Sequence, residues 1–307
     1  MEQLYAELID TLKKKDLDAQ ALSILKFKLC KKHKVRKIPS NIEILLHATQ
    51  KDLKDIKILT KPVRTLSGVA VVTIMTAPIA CKHGRCTFCP GGPNSFFGNV
   101  PQSYTGNEPA SMRGARAQYD PYVQVFNRLE QYVVTGHNFD KIELIFNGGT
   151  FTSMPLSYQE EFVTYTLKAM NDFSAEFFDD ALKMEKFKEF FELPGDFKNV
   201  ERVKRVQGKI LKLKGKATLE EEKLRNETAK ARCVAFCIET KPDWSKEKEI
   251  DNMLRFGTTR VELGIQTLHD HILKKVNRGH DMKDSVEAVQ LLKDSFLKTC
   301  FHLMPGL

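Results

Sequence analysis

Three thiols fall within nine residues in the run Cys81-Lys-His-Gly-Arg-Cys86-Thr-Phe-Cys89-Pro-Gly-Gly. The seven cysteines show no even spacing, and a cluster of this kind holds a metal or an iron–sulfur cluster more readily than it forms a disulfide staple. Three thiolates can carry three irons of a [4Fe-4S] cluster and leave the fourth open to an external ligand, so such a site does chemistry rather than electron transfer alone. The competing arrangement is a zinc site of Cys81, Cys86, Cys89 and His83, although His83 follows Cys81 by only two residues and paired C-x2-C knuckles are missing.

Four other places could bear chemistry. Gly148 and Gly149 close KIELIFN and, lacking Cβ atoms, allow a ligand's polar groups to approach the backbone; the rival reading is a plain turn. Glu239 ends the apolar stretch CVAFCIE, where a carboxylate is costly unless it meets a cation or a polar ligand. Gln266 ends TRVELGIQ, and Arg278 follows in Asn-Arg-Gly-His, as a fork for a carboxylate or as part of a salt-bridged rim. Phe96, Phe97 and Tyr104, just past the thiols, could stack on a flipped base or form a hydrophobic lid. Cys233 and Cys237, four apart on a strand, read as small buried hydrophobes sharing one face, and Glu262 is left out of the set.

These residues sit at the ends of recurring elements. GVAVVTIMTAP (68–78) is β-branched, apolar and bounded by Gly and Pro, as a buried parallel strand requires, and the thiols follow it directly. Further strands are expected at 141–147, 233–239, 259–265 and 299–303. Helices are expected over 118–136, 156–175 and from the Thr218/Glu221 capping box to Ala231. Residues 90–113 are too rich in Gly, Pro, Asn and Ser for a regular element, and the charged insertion near 176–217 has no evident place. Strand then helix, repeated, indicates an α/β fold with a parallel sheet, its chemistry in the loops at the strands' carboxyl ends. Five strands are fewer than a closed eight-stranded barrel needs, so a partial barrel is expected. The first segment differs: amphipathic helical patterns with Ser40 as an N-cap make residues 1–65 a small helical domain, and 66–307 the α/β core.

The 307 residues carry 48 basic and 39 acidic side chains, a net +9. Residues 1–69 hold 15 basic and 8 acidic ones, so seven of the nine surplus charges lie there. Lys26, Lys28, Lys31, Lys32, Lys34, Arg36 and Lys37 form the densest run, suited to phosphate contacts or to a solvated face. No stretch of 18 apolar residues could span a bilayer and no signal-peptide pattern opens the chain, so the expected location is the cytoplasm, with no membrane partner.

The cysteine run, YTGNEPASMRGARAQYDPY from Tyr104, FNGGTF, CIETKPDW, VELGIQT and NRGH together resemble the radical S-adenosylmethionine enzymes, and more narrowly the family of Elongator catalytic subunits in its archaeal form. The resemblance covers about residues 60–307. It implies a TIM-like barrel and a [4Fe-4S] cluster on Cys81, Cys86 and Cys89. It implies S-adenosylmethionine held by Gly148 and Gly149 at the methionine amine, by Glu239 at the ribose or amine, by Gln266 at the ribose and by Arg278 at the carboxylate. Thr150 stands where the wider family commonly has an acid. Lys141 aligns with a lysine associated in the family with acetyl-coenzyme A, a surface lysine being the alternative. The implied activity adds an acetyl-derived group to C5 of the wobble uridine of tRNA, giving carboxymethyluridine, with acetyl-coenzyme A as co-substrate and a homo-oligomer or partner subunits around it. The family's acetyltransferase domain has no counterpart in these residues, so an incomplete enzyme is expected. Rival readings are another radical reaction, such as methylthiolation or porphyrin oxidation, and a non-catalytic iron–sulfur or zinc RNA-binding module.

Overall fold

The computed structural model describes residues 2–49, 51–56, 64–195 and 199–307, without the side chains of Lys54 and Arg64. Four helices come first: α1 (Glu2–Lys14), α2 (Ala19–Lys32), α3 (Asn41–His47) and the single turn α4 (Asp52–Asp55). Asp18 caps α2, and Ser40 with Glu43 forms a reciprocal capping box on α3. Leu4, Leu8, Leu12, Leu22, Leu29 and Ile44 close a small core of their own. The expected domain boundary at 65/66 adjoins residues 57–63, which lie outside the described residues.

The rest is one sheet and its helices. Strands β1 (Ala70–Met75), β2 (Lys141–Asn147), β3 (Arg232–Thr240), β4 (Arg260–Gln266) and β5 (Lys298–Leu303) lie side by side in chain order, all parallel. That order makes every crossover turn the same way, which puts the connecting helices on one face. On that face Val72, Leu144, Phe146, Phe236, Ile238, Val261 and Leu263 pack under α6 (Pro121–Val134) and α7 (Leu156–Phe177). The opposite, concave face is polar, carrying Glu143, Cys237, Glu239, Arg260 and Glu262. Arg260 binds Glu143 at 2.7 Å and Glu262 at 3.0 Å across it.

Three expectations need correction. Helix α5 (Pro109–Arg116) falls partly inside the stretch read as irregular: Pro109 is preset for a first turn, and Glu108 accepts the Thr105 and Gly106 N–H groups ahead of it. The Thr218/Glu221 box is present, but α10 (Leu219–Asn226) stops five residues before Ala231, where Asn226 turns its amide to Ala231 O and accepts from Cys233 N. Cys233 and Cys237 do not share a face. Ile142 and Glu143 pair with Cys233 and Ala235, so a bulge at Val234 resets the alternation, sending Cys233 to the helical core and Cys237 to the concave face beside Arg260 Nε at 3.3 Å.

The charged insertion also finds its place. Helices α8 (Met184–Phe191) and α9 (Val200–Leu213) bury Phe187, Phe191, Val206 and Ile210 in the main core, where Phe187 and Phe191 meet Phe173 and Phe177 of α7. Helices α11 (Glu247–Phe256), α12 (Asp270–Lys275) and α13 (Met282–Asp294) complete the outer layer.

Candidate functional site

The loop after β1 carries the three cysteines over the carboxyl end of the sheet. Each sulfur meets a polar group from elsewhere. Thr150, just past β2, places Oγ1 3.7 Å from Cys81 Sγ; Gln102 donates its amide to Cys89 Sγ at 3.0 Å; Arg278 Nη1 lies 3.6 Å from Cys86 Sγ. Lys241, fully buried after β3, donates to His83 Nδ1 at 3.0 Å, which leaves His83 Nε2–H to face Cys86 Sγ at 3.3 Å. Burial pushes the Cys81 thiol up, while Lys241 and Arg278 pull it toward thiolate. Burial and the same two cations hold His83 down to about 4, so its ring is neutral.

A single tetrahedral zinc ion needs its sulfur ligands about 3.8 Å apart, from a Zn–S length of about 2.3 Å. Among the described residues no three of Cys81, Cys86, Cys89 and His83 bring ligand atoms within 4.8 Å of one another. The donor set, three soft thiolates spread wider than one ion needs and ringed by N–H donors, fits an iron–sulfur cluster.

The strand ends supply the surroundings of a second ligand. Gly148 (φ 125°) and Gly149 (φ 99°) adopt backbone open to glycine, and a Cβ on Gly148 would lie 2.0 Å from Thr76 Oγ1. Arg278 is buried, holds Gly264 O through Nη2 at 2.6 Å, and has a buried Nε with no hydrogen-bond partner. That orphaned donor beside Cys86 suits a bound carboxylate. Glu239 is pushed up to about 7 by burial, with Glu262 adding to the rise and His302 and Tyr104 opposing it; Tyr104 donates its hydroxyl to Glu239 Oε2 at 3.1 Å. Gln266 stands at the end of β4 with φ 73°, its backbone oxygen tied to Met304 N at 2.8 Å.

Two expected members do not join. Lys141 is exposed at the amino end of β2, six strand steps from Asn147, or about 20 Å at ~3.3 Å per residue, so it faces the opposite end of the sheet. Lys26 is buried and donates to Asn41 Oδ1, so it is no surface contact. Within the remaining basic run, Lys32 pairs with Glu7 and Lys37 with Glu43, while Lys28, Lys31, Lys34 and Arg36 are exposed. Phe96 is 95% exposed on a tight Ser95–Gly98 turn and Phe97 43%, whereas Tyr104 spends its hydroxyl inward on Glu239.

Gln102, Lys241, Glu262 and His302 escape a sequence reading. Glu239 and Glu262 are register partners, and His302 meets Glu262 at 2.9 Å. Parity along β3 and β4 could have placed Glu262; Gln102 and Lys241 have no signal short of the folded contact.

This parallel sheet, with its thiol loop at the carboxyl end, belongs to the radical SAM superfamily, whose family profile matches residues 79–307. Residues 1–66 match a second family, the ELP3 N-terminal domain. Among curated proteins the chain is 45% identical over 271 residues to the tRNA uridine(34) acetyltransferase of Methanocaldococcus infernus, covering 88% of this chain and 43% of that protein. It is 44% identical to the protein of the same name from Methanocaldococcus jannaschii (96% and 48%), and 34% identical to Elongator complex protein 3 of Saccharomyces cerevisiae (98% and 48%). The solved structure of archaeal M. infernus Elp3 with its N-terminus deleted aligns with TM-score 0.52 and 37% identity over 78% of this chain and 38% of that one. The chain thus spans about half the length of the relatives it matches. No helix among the described residues is long and apolar enough to cross a membrane.

Proposed function

We propose that this chain forms the radical-generating and RNA-binding part of an enzyme that modifies uridine 34 of tRNA, adding an acetyl-derived group to uracil C5 with acetyl-coenzyme A as co-substrate. The observation that carries the reading is the convergence of Thr150, Gln102, Arg278 and His83 on the three cysteine sulfurs, at the sheet end where Glu239 and Gln266 also lie. Cys81, Cys86 and Cys89 would hold a [4Fe-4S] cluster, and with S-adenosylmethionine that group supplies the radical that starts the reaction. The names of the archaeal relatives support the substrate and the transferase class.

The chain's own residues then have distinct tasks. Arg278 offers its spare Nε–H to the ligand's carboxylate. Gly148 and Gly149 keep side chains away from its amine. Glu239, held by Tyr104, binds a hydroxyl or amine, and Gln266 lies beside it at the next strand end. Gln102 and His83 direct N–H groups at cysteine sulfurs, which favours the more electron-rich state of whatever those sulfurs bind. Lys28, Lys31, Lys34 and Arg36 contact tRNA phosphates.

Anaerobic reconstitution with iron and sulfide, followed by reductant and S-adenosylmethionine, should yield 5′-deoxyadenosine by mass spectrometry. If none forms, and Cys86→Ala binds as much iron as the parent, the reading is wrong. For the RNA contacts, changing Lys31, Lys34 and Arg36 together to Ala should weaken tRNA binding and flatten its salt dependence; unchanged affinity removes that part.

A further inference from the structure

On the helical side of the sheet, away from the cysteine loop, a cavity of about 180 Å³ opens between α5, α6 and α9, with Ile42 of α3 at its rim. Its charged lining is Arg113 and Arg116 from α5, Arg202 from α9 and Glu130 from α6. Arg202 and Glu130 answer each other at 3.5 Å, and Arg202 also donates to the carbonyls of Phe191 and Glu192. Arg113 is different. It is half-buried, and among the described residues its side chain makes no hydrogen bond or ion pair. Burial and another cation, Arg128 of α6, pull its pKa down, against a smaller opposing pull from Tyr132. It cannot retreat easily, because α5 is pinned to the sheet: a Cβ on Gly114 would lie 2.8 Å from Met75 Cβ. Asp120, the carboxylate nearby in sequence, is already bound to Lys214 at 2.6 Å.

A guanidinium set against cations and partly removed from water is destabilising until an anion joins it. Three arginines face one acid, Glu130, so whether or not that acid is ionised at least two positive charges are left over. The neutral lining adds donors: Asn127, and Gln131, whose oxygen is already taken by Arg128 at 3.0 Å so that its amide N–H groups remain. Two surplus charges, planar guanidinium forks and amide donors suit a group with acceptors on every oxygen. The volume is below the ~300–1,000 Å³ of pockets that engulf whole small molecules, so one phosphate group enters and anything attached to it stays outside.

We propose that this cavity is a phosphate-binding pocket with Arg113 as its principal donor, taking either a free phosphate or phosphate monoester or one phosphodiester of an RNA backbone. It is separate from the cysteine site and does not rest on the reading given for it. Thermal unfolding of the 307-residue chain against inorganic phosphate tests it, with potassium chloride at matched ionic strength as control. Phosphate should raise Tm saturably while chloride does not. Arg113→Gln should weaken half-saturation by on the order of tenfold to a hundredfold, as loss of a charge-assisted pair implies, while leaving Tm in plain buffer unchanged or higher. A phosphate response intact in Arg113→Gln overturns the proposal. If Arg113→Gln does not fold, the rim variant Arg116→Gln must reduce the response, and an undiminished response there overturns it equally. Competition then separates the sources: displacement of phosphate by a single-stranded oligoribonucleotide identifies the backbone, and displacement by a nucleoside monophosphate alone identifies a small ligand. Phosphate that binds nowhere on the wild type ends the idea.

Discussion

At Glu130 burial and charge pull in opposite directions. The carboxyl is pushed up to about 7 by burial, against the pull of Arg202. A folded-state pKa above the ordinary 4.5 means the native protein holds a proton that the unfolded chain releases. Glu130's contribution to stability is therefore greatest below about 4.5 and falls as pH rises toward 7. Glu130→Gln carries no such proton, so its stability relative to wild type should improve across that window, by on the order of 3 kcal/mol at the top. Urea unfolding at a series of pH values measures this, and parallel curves would show that Glu130 does not titrate there. A second residue-scale test lies at Tyr104: Tyr104→Phe removes a side-chain hydroxyl donated to Glu239, so binding of S-adenosylmethionine by the reconstituted protein should weaken by roughly tenfold, as loss of a hydrogen bond implies. Equal affinity would make that contact incidental. Chemistry of the thiol type is legible because Cys81, Cys86 and Cys89 are close in sequence. Lys241 and Gln102 are not, because their meaning lies in contacts with His83 and Cys89, 158 and 13 residues away, and nothing local in a lysine or glutamine encodes that.

At the scale of elements, the backbone at strand ends decides which face receives a side chain. The bulge at Val234 is the clearest case: period-two counting puts Cys233 and Cys237 together, and one extra residue separates them and turns Cys237 and Glu239 toward the concave face. Strand positions are readable from β-branched runs bounded by Gly and Pro, whereas the bulge leaves no compositional trace. Two glycines give a matched test. Gly148→Ala would place a methyl 2.0 Å from Thr76 Oγ1 at φ 125°, forcing the ends of β1 and β2 apart, and should cost about 3 kcal/mol or more. Gly208 lies inside α9, where a Cβ would meet nothing within 4 Å, so Gly208→Ala should stabilise by about 0.5–1 kcal/mol. Chemical unfolding of both variants decides it; equal effects would mean the strand end relaxes at no expense.

Within these 307 residues, the two outer strands of the sheet differ in how their free sides are covered. The free side of β1 is covered by α6: Gln124 donates to Met75 O and accepts from Met75 N, both at 2.9 Å, and Tyr132 donates to Val71 O at 2.5 Å. On β5 no described side chain caps the outer backbone, and Phe301 and Leu303 are 44% and 52% exposed, with Phe296 just before the strand 96% exposed. An uncapped strand carrying apolar side chains is a template for another strand. The five-strand count is readable from the sequence, but this asymmetry is not, since it depends on which helix lies over which edge. The 307-residue chain alone should therefore self-associate as concentration rises. Phe301→Lys puts a charge on that edge while leaving the β4–β5 ladder intact, and should return the chain to monomer at the same concentration. Sedimentation velocity across a concentration series reads both species. Wild type that stays monomeric throughout, or a variant that associates as strongly, would mean the β5 edge is protected in solution by something other than side-chain capping.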